Sequence, residues 1–231
     1  MTEPGPMMRR LFLPFLLLMA IPLPSSAQPA TEEFRYRWHL GSLVGRVAGL
    51  FLPNKGDGVM RFSEQPDGTL HSELLVTSEK SDDGEFWRYG STIDRDSRQA
   101  LSAWSAYRWR GKEKEKRDDI AEPGVLDIVS GIWALRQDTP ERPRQLTIWS
   151  DGKVYPVVVI PRGREKRRFG EREVSTRHWT IRGIDAPEGR RWKGRLELWL
   201  SDDEAALPVE IRISRSLADL RLELQPPAES Q

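Results

Sequence analysis

The chain has 231 residues, 38% hydrophobic and 31% charged, with 36 Lys and Arg balanced by 35 Asp and Glu and no cysteine. Mixed charge near neutrality gives no electrostatic reason to expect nucleic-acid binding. The lack of cysteine excludes disulfide staples, thiolate chemistry and lipoprotein-type acylation, so stability must come from burial.

The first segment reads as a cleavable secretory signal. Arg9 and Arg10 form a positive n-region, Leu11 to Ile21 an apolar core, and Ser25-Ser26-Ala27 the small residues of a peptidase site, which predicts cleavage near Ala27, before Gln28. The apolar run is broken by Pro14 and Pro22 and is shorter than the roughly 20 residues of a membrane-spanning helix, so no transmembrane anchor is expected after cleavage. The pair Arg9-Arg10 also resembles a twin-arginine signal, but the Leu-dense core favours the general export route. A periplasmic location is the expectation. Residues 28–231 suffice for a single β-rich domain, with an ordered core at about 34–224. Its balance, once Arg9, Arg10 and Glu3 are removed, is 34 charges of each sign.

Downstream, Gly, Pro, Asp and Asn recur at the short intervals of strands and turns. Phe34 to Phe51 reads as one long strand or two with a bend, followed by a polar turn at Pro53-Asn54-Lys55-Gly56-Asp57-Gly58. Met60 to Glu64 and Leu70 to Thr77 flank Gln65-Pro66-Asp67-Gly68 as a hairpin. Glu85 to Asp94 and Ala100 to Trp109 are two more strands, and the charged run Gly111 to Asp119 is a solvated edge strand or loop. After Pro123-Gly124, Val125, Ile128, Val129, Ile132 and Trp133 fall at helical spacing, predicting a short helix over about 124–136 packed on the concave side of a sheet.

Gln145 to Trp149 and Val154 to Ile160 flank the hairpin signal Asp151-Gly152, and the doubly apolar run Val157 to Ile160 suggests a central position in the sheet. Glu173 to Ile181 alternates. Leu196, Leu198 and Leu200, then Val209, Ile211 and Ile213, then Leu220, Leu222 and Leu224 repeat with period two, predicting three half-buried strands in an antiparallel meander. Cross-strand pairing of Glu210 and Arg212 with Arg221 and Glu223 is expected. The fold class is therefore mainly β: a curved antiparallel sheet or open barrel with one short α-helix.

Asp127-Ile128-Val129-Ser130, running on to Trp133 and Leu135-Arg136, and Trp199-Leu200-Ser201-Asp202-Asp203, followed by Leu207-Pro208-Val209-Glu210-Ile211, form an ordered pair of motifs. With the glycine-punctuated first strand and Gly152-Lys153-Val154-Tyr155, they resemble the exported bacterial family called domain of unknown function 3108, over roughly Phe34 to Leu224. The resemblance implies a secreted β-rich domain with no assigned activity. Its general shape is similar to periplasmic lipoprotein-carrier folds, in which a curved sheet wraps an apolar cavity plugged by helices.

The residues themselves offer little chemistry. His39, His71 and His178 are far apart and form no metal-ligand pair, and no cofactor motif is present. Ser130 lacks the glycines of a nucleophile elbow, so Asp127 and Ser130 read as a local hydrogen-bonding device at the helix, with Arg136 a partner for Asp202 or Asp203. Asp202 and Asp203 suit turn chemistry, as Pro208 suits a strand start. Arg162, Arg164, Lys166, Arg167 and Arg168, within Pro161 to Gly170, read as a solvated β-loop whose sharper role is contact with anionic envelope lipid. Trp87, Trp104, Trp109, Trp149, Trp179 and Trp199 read as core packing. The leading expectation is a non-enzymatic periplasmic protein that binds a lipid or other amphipathic envelope ligand or assists envelope assembly. The alternatives are an envelope-polymer hydrolase using Asp127, Asp202 or Asp203, and a protein–protein interaction module docking by a strand edge, its partner unspecified.

Overall fold

A computed structural model describes residues 30–41, 55–79, 84–109, 111–186, 189–215 and 218–227. Residues 1–29, where a signal is expected, and all of 42–54, on which the later part of the expected Phe34 to Phe51 strand and the start of the Pro53 to Gly58 turn fall, lie outside them. The strands are β1 (Thr31–Leu40), β2 (Lys55–Glu64), β3 (Thr69–Ser78), β4 (Phe86–Asp94), β5 (Gln99–Trp109), β6 (Lys112–Asp119), β7 (Val125–Leu126), β8 (Arg144–Ser150), β9 (Lys153–Phe169), β10 (Arg172–Gly183), β11 (Gly194–Ser201), β12 (Pro208–Arg215) and β13 (Ala218–Leu224). One helix among the described residues, α1 (Ile128–Gln137), follows β7.

All strands join one sheet in the order β6-β5-β4-β3-β2-β1-β13-β12-β11-β10-β9-β8-β7. Chain order explains it: β1 starts in the middle, short turns lay β2 to β6 outward to one edge, the chain crosses to the other edge, and β8 to β13 return until β13 meets β1. Every pair is antiparallel except β7 with β8. The charged run 112–119 is thus an edge strand, as one reading had it. Asp151 (φ 52°) and Gly152 (φ 81°) make the tight β8–β9 turn, the left-handed pair a two-residue hairpin requires.

The sheet curls without closing. No ladder joins β6 to β7 among the described residues; the two edges are bridged by side chains. Trp149 Nε1 donates to Asp118 Oδ2 at 2.7 Å and Ser105 Oγ to Asp151 Oδ1 at 3.0 Å, beside a small cluster of Ala103, Val125 and Trp149. Inside the curl, Phe34, Tyr36 and Trp38 of β1 pack with Leu198 and Leu200 of β11, Ile211 of β12, Leu222 of β13 and the Val129–Ile132–Leu135 face of α1. Period two put these side chains inward; period 3.6 gave the helix its single covered face.

Four expectations need correction. The helix does not begin at 124: Val125–Leu126 pair with β8 as β7, and Asp127 caps a helix that starts at Ile128. Lys55 to Gly58 are not a turn but the start of β2. Their glycines give clearance instead: a Cβ at Gly56 would lie 2.0 Å from the Thr77 carbonyl oxygen and 2.6 Å from Trp38 Nε1, where that indole donates to Thr77 at 2.7 Å. Residues 161–169 are not a loop, because β9 runs on for 17 residues, bending at a bulge around Gly163 (φ 106°). The β8–β9 hairpin is not central either; β8 and β9 stand second and third from the β7 edge, and their apolar residues are covered by α1 and the core.

Candidate functional site

Asp127 begins α1 as its N-cap. Its Oδ1 accepts from the Ser130 backbone N–H at 2.8 Å and its Oδ2 from Val129 N–H at 3.1 Å, while Ser130 Oγ accepts from the Asp127 N–H at 2.8 Å, a reciprocal capping box. Ser91 Oγ of β4 donates to the same carboxylate at 2.6 Å and lies 3.0 Å from Ser72 Oγ of β3. All four side chains are buried. A helix end is thereby tied to two strands, and the predicted local role of Asp127 and Ser130 extends into a cross-sheet chain.

At the other end, Arg136 does not reach Asp202 or Asp203. Its Nη1 and Nη2 donate to the two Glu32 carboxylate oxygens at 2.6 and 2.7 Å, Nε donates to Ala206 O at 3.0 Å and Nη2 to Ala205 O at 3.1 Å. Phe34 and Phe62 lie under its guanidinium. Asp202 is held instead by Arg164 (2.6 Å) and Arg177 (3.1 Å), and Asp203 accepts from Ser201 Oγ (2.6 Å) and the Ala206 N–H (3.2 Å). Pro208 opens β12, and its carbonyl accepts from the buried Tyr36 hydroxyl at 3.0 Å. The three aspartates stand in separate structural bonds, with Asp127 inside the curl and Asp202 and Asp203 in the β11–β12 turn.

Two hollows remain. The first is an apolar cavity of about 360 Å³ inside the sheet, above the start of α1. Trp38, Trp87 and Trp109 wall one side, with ring centroids 6.4 Å apart for Trp38–Trp87 and 5.3 Å for Trp87–Trp109; Val76, Ile128 and Ile213 contribute aliphatic surface. Only Trp87 and Trp109 of this wall were singled out from sequence. Their spacing held no signal, because the wall is assembled from β1, β4 and β5.

The second lies on the convex face. Trp199 points outward from β11 yet is only 2% exposed, because His178 stacks on it at 4.2 Å and the Arg167 and Arg212 guanidinia cover it at 4.4 and 5.3 Å. Glu210, also buried, accepts from Arg212 (3.1 Å) and Arg221 (3.0 Å) and lies 3.2 Å from Arg167 Nε. Glu210 thus pairs diagonally with Arg221, while directly opposite residues are the like-charged pairs Glu210–Glu223 and Arg212–Arg221. His178 Nε2 lies 2.6 Å from Glu197 Oε2, and Nδ1 3.0 Å from Glu165. The predicted basic patch is split by strand alternation: Arg167 covers Trp199, Arg162 bonds Thr180 (2.8 Å), Lys166 faces Glu173 (3.6 Å) and Arg168 donates to Gly170 O (3.2 Å). Arg195, Arg212, Glu197 and Glu210 were missed as site residues; their signal was the outward-facing charges between the leucines of β11 and isoleucines of β12.

Burial works against the charge of Glu197, but hydrogen bonds from His178, Thr180 and Arg195 outweigh it and hold the carboxyl below its ordinary value of 4.5. A carboxyl lowered by folding stabilises the native state fully above that ordinary value and loses its contribution as pH falls through the lowered one. Glu197→Gln should therefore be less stable than wild type at neutral pH, with a gap that narrows as pH drops below 4.5. Urea unfolding at a series of pH values measures it; a gap independent of pH would contradict the assignment.

Among the described residues, the class of protein is then a single curled sheet, antiparallel but for β7 with β8, open along one seam and plugged by one helix. A family model described as protein of unknown function (DUF3108) matches residues 98–225, more than half of the chain, and the chain belongs to that family. The match starts at the last residue of the β4–β5 turn, short of the Phe34 to which the motif resemblance was extended. No curated protein matches the sequence. Among solved structures, a beta-barrel-like protein of domain of unknown function DUF1849 from Brucella abortus is similar at 13% identity and a TM-score of 0.45, over 86% of this chain and 97% of that one. Among the described residues, no helix is long and apolar enough to cross a membrane, and no group of three His, Asp or Glu could hold a metal ion.

Proposed function

We propose that the chain is an exported periplasmic protein that holds an apolar or amphipathic envelope ligand inside the curled sheet and performs no covalent chemistry on it. The observation that carries the reading is the tryptophan-walled cavity of about 360 Å³, a volume within the roughly 300–1,000 Å³ of small-molecule sites. Its lining is mostly apolar, with Ser150 and Asp151 as polar members beside the β8–β9 turn, so it suits an aliphatic chain whose polar end lies near that turn. Export rests on the signal-type leader, and the structural bonds of Asp127, Asp202 and Asp203 favour a binding role over a hydrolase. The meeting of the two sheet edges through side chains likewise disfavours docking by strand addition.

Native mass spectrometry of the protein purified from its own periplasm tests the whole reading. A chain beginning at Gln28 that carries a lipid-sized adduct is the expected result; an unprocessed or ligand-free chain would overturn it. In parallel, Ile213→Trp should fill the cavity from β12 and weaken binding of a fluorescent fatty-acyl probe about tenfold or more, the loss of a few buried methylenes' worth of contact. Equal probe affinity in wild type and variant would place the ligand elsewhere.

A further inference from the structure

The convex-face cleft is a second site, separated from the cavity by the thickness of the sheet. It has a volume of about 440 Å³ and is bounded by Arg162, Arg164, Arg167, Arg195 and Arg212, against the two carboxylates Glu165 and Glu197. An excess of positive charge in a concave site focuses its field outward and raises the local concentration of anions.

Buried carboxylates hold Arg167, Arg195 and Arg212 by ion pairs. Glu197 is 4% and Glu210 2% exposed although both point to the solvent side of the sheet. They are covered by the guanidinia they bind: Arg195 on Glu197, and Arg167, Arg212 and Arg221 on Glu210. Glu210 thus anchors three cations, Arg167 being shared with Glu165 and Arg221 with Glu223, while Asp202 holds Arg164 and Glu197 holds Arg195, so the cleft keeps a small excess of positive charge. A guanidinium has five donors in a planar fork. Among the described residues, Arg162 uses Nε on Thr180, Arg195 uses Nε and one terminal nitrogen on Glu197, and Arg212 uses one terminal nitrogen on Glu210. Further donors of each fork are left for a ligand, on side chains whose direction is already set by these bonds, which lowers the ordering cost of binding.

The floor tells against a sugar ring or other stacking ligand. Trp199 is already enclosed by His178, Arg167 and Arg212 and has no open face to offer. Recognition must come from charge and bidentate geometry, the pairing that arginine makes with phosphate oxygens.

We propose that this cleft binds a phosphate-bearing ligand through Arg162, Arg195 and Arg212, with Glu197 and Glu210 as positioning residues. The phosphate can belong to a soluble ester or to a lipid headgroup, and two arms of one experiment separate them. Inorganic pyrophosphate is titrated by calorimetry into the full-length processed protein, and phosphatidylglycerol vesicles are tested by flotation. Saturable pyrophosphate binding that weakens as salt is raised, and roughly tenfold or more in Arg195→Glu, identifies a phosphate site open to soluble ligands. Vesicle binding with the same dependence but no pyrophosphate binding assigns the source to lipid. Arg212→Gln, which removes a fork without reversing charge, serves as the second variant should Arg195→Glu fold poorly by circular dichroism. Binding of neither probe, or binding unchanged in the folded variants, overturns the proposal. The fatty-acyl probe affinity of these variants should match wild type, which keeps this result separate from that of the interior cavity.

Discussion

Asp127→Ala should destabilise the protein by about 3 kcal/mol, from the loss of a helix cap at roughly 0.5–2 kcal/mol together with a buried hydroxyl left without its acceptor at roughly 1–3 kcal/mol. The carboxylate accepts from two backbone N–H groups of α1 and from the hydroxyls of Ser91 and Ser130, at a residue only 2% exposed. Ser91→Ala removes only the cross-sheet arm and should cost less. In a double-mutant cycle the two changes should be strongly non-additive, because both break the same bond. Additive losses in urea unfolding would show that cap and strand anchor act separately.

Arg136→Ala is expected to cost a similar amount, about 3 kcal/mol. Losing one partner of a buried pair can cost roughly 3–5 kcal/mol, discounted here because Glu32 is half exposed. Four recorded bonds and the rings of Phe34 and Phe62 converge on this guanidinium, whose side chain is only 6% exposed. Arg136→Lys should recover little, since an ammonium cannot grip both Glu32 oxygens while reaching the Ala205 and Ala206 carbonyls. Wild-type stability in the lysine variant would reduce the residue's role to charge alone. Together the two residues fasten the plug at both ends, Asp127 to β3 and β4 and Arg136 to β1 and the β11–β12 turn.

Much of this architecture was legible because its signals are local. Leu196-x-Leu198-x-Leu200 and its two successors announced β11 to β13, and Asp151-Gly152 announced a hairpin whose positive φ values the structure contains. The helix was readable from Ile128, Val129, Ile132 and Trp133, although Val125, counted with them, lies in β7. Signals that depend on distant partners misled. Gly56 and Gly58 read as a turn because glycine's need for clearance beneath Trp38 and Tyr36 is visible only once β1 and β2 are paired. Residues 161–169 read as a loop because charges on both faces hide alternation, although β10 pairs along the whole stretch. Arg136 was given a carboxylate partner, but the wrong one: Glu32 lies on β1, at the far end of the chain's course. The lining of the cavity was illegible for the same reason, and the arginine cleft only half legible: Arg162, Arg164 and Arg167 were named together, but only the topology brings Arg195 and Arg212 to them.

The meeting of β1 with β13 in the middle of the sheet bears on how the protein folds. Every other antiparallel pair joins strands adjacent in sequence and can form as soon as both are available, but Tyr36 waits for Leu224. Two half-sheets can therefore grow independently by hairpin addition, and their union must pay the entropy of closing a loop nearly as long as the domain. Until the last strand arrives, each half presents an unpaired central edge. The final ladder is consequently the step at which an incompletely delivered chain is most exposed to mispairing with a neighbour, and the place where joining the natural ends in a circular permutant should speed folding most.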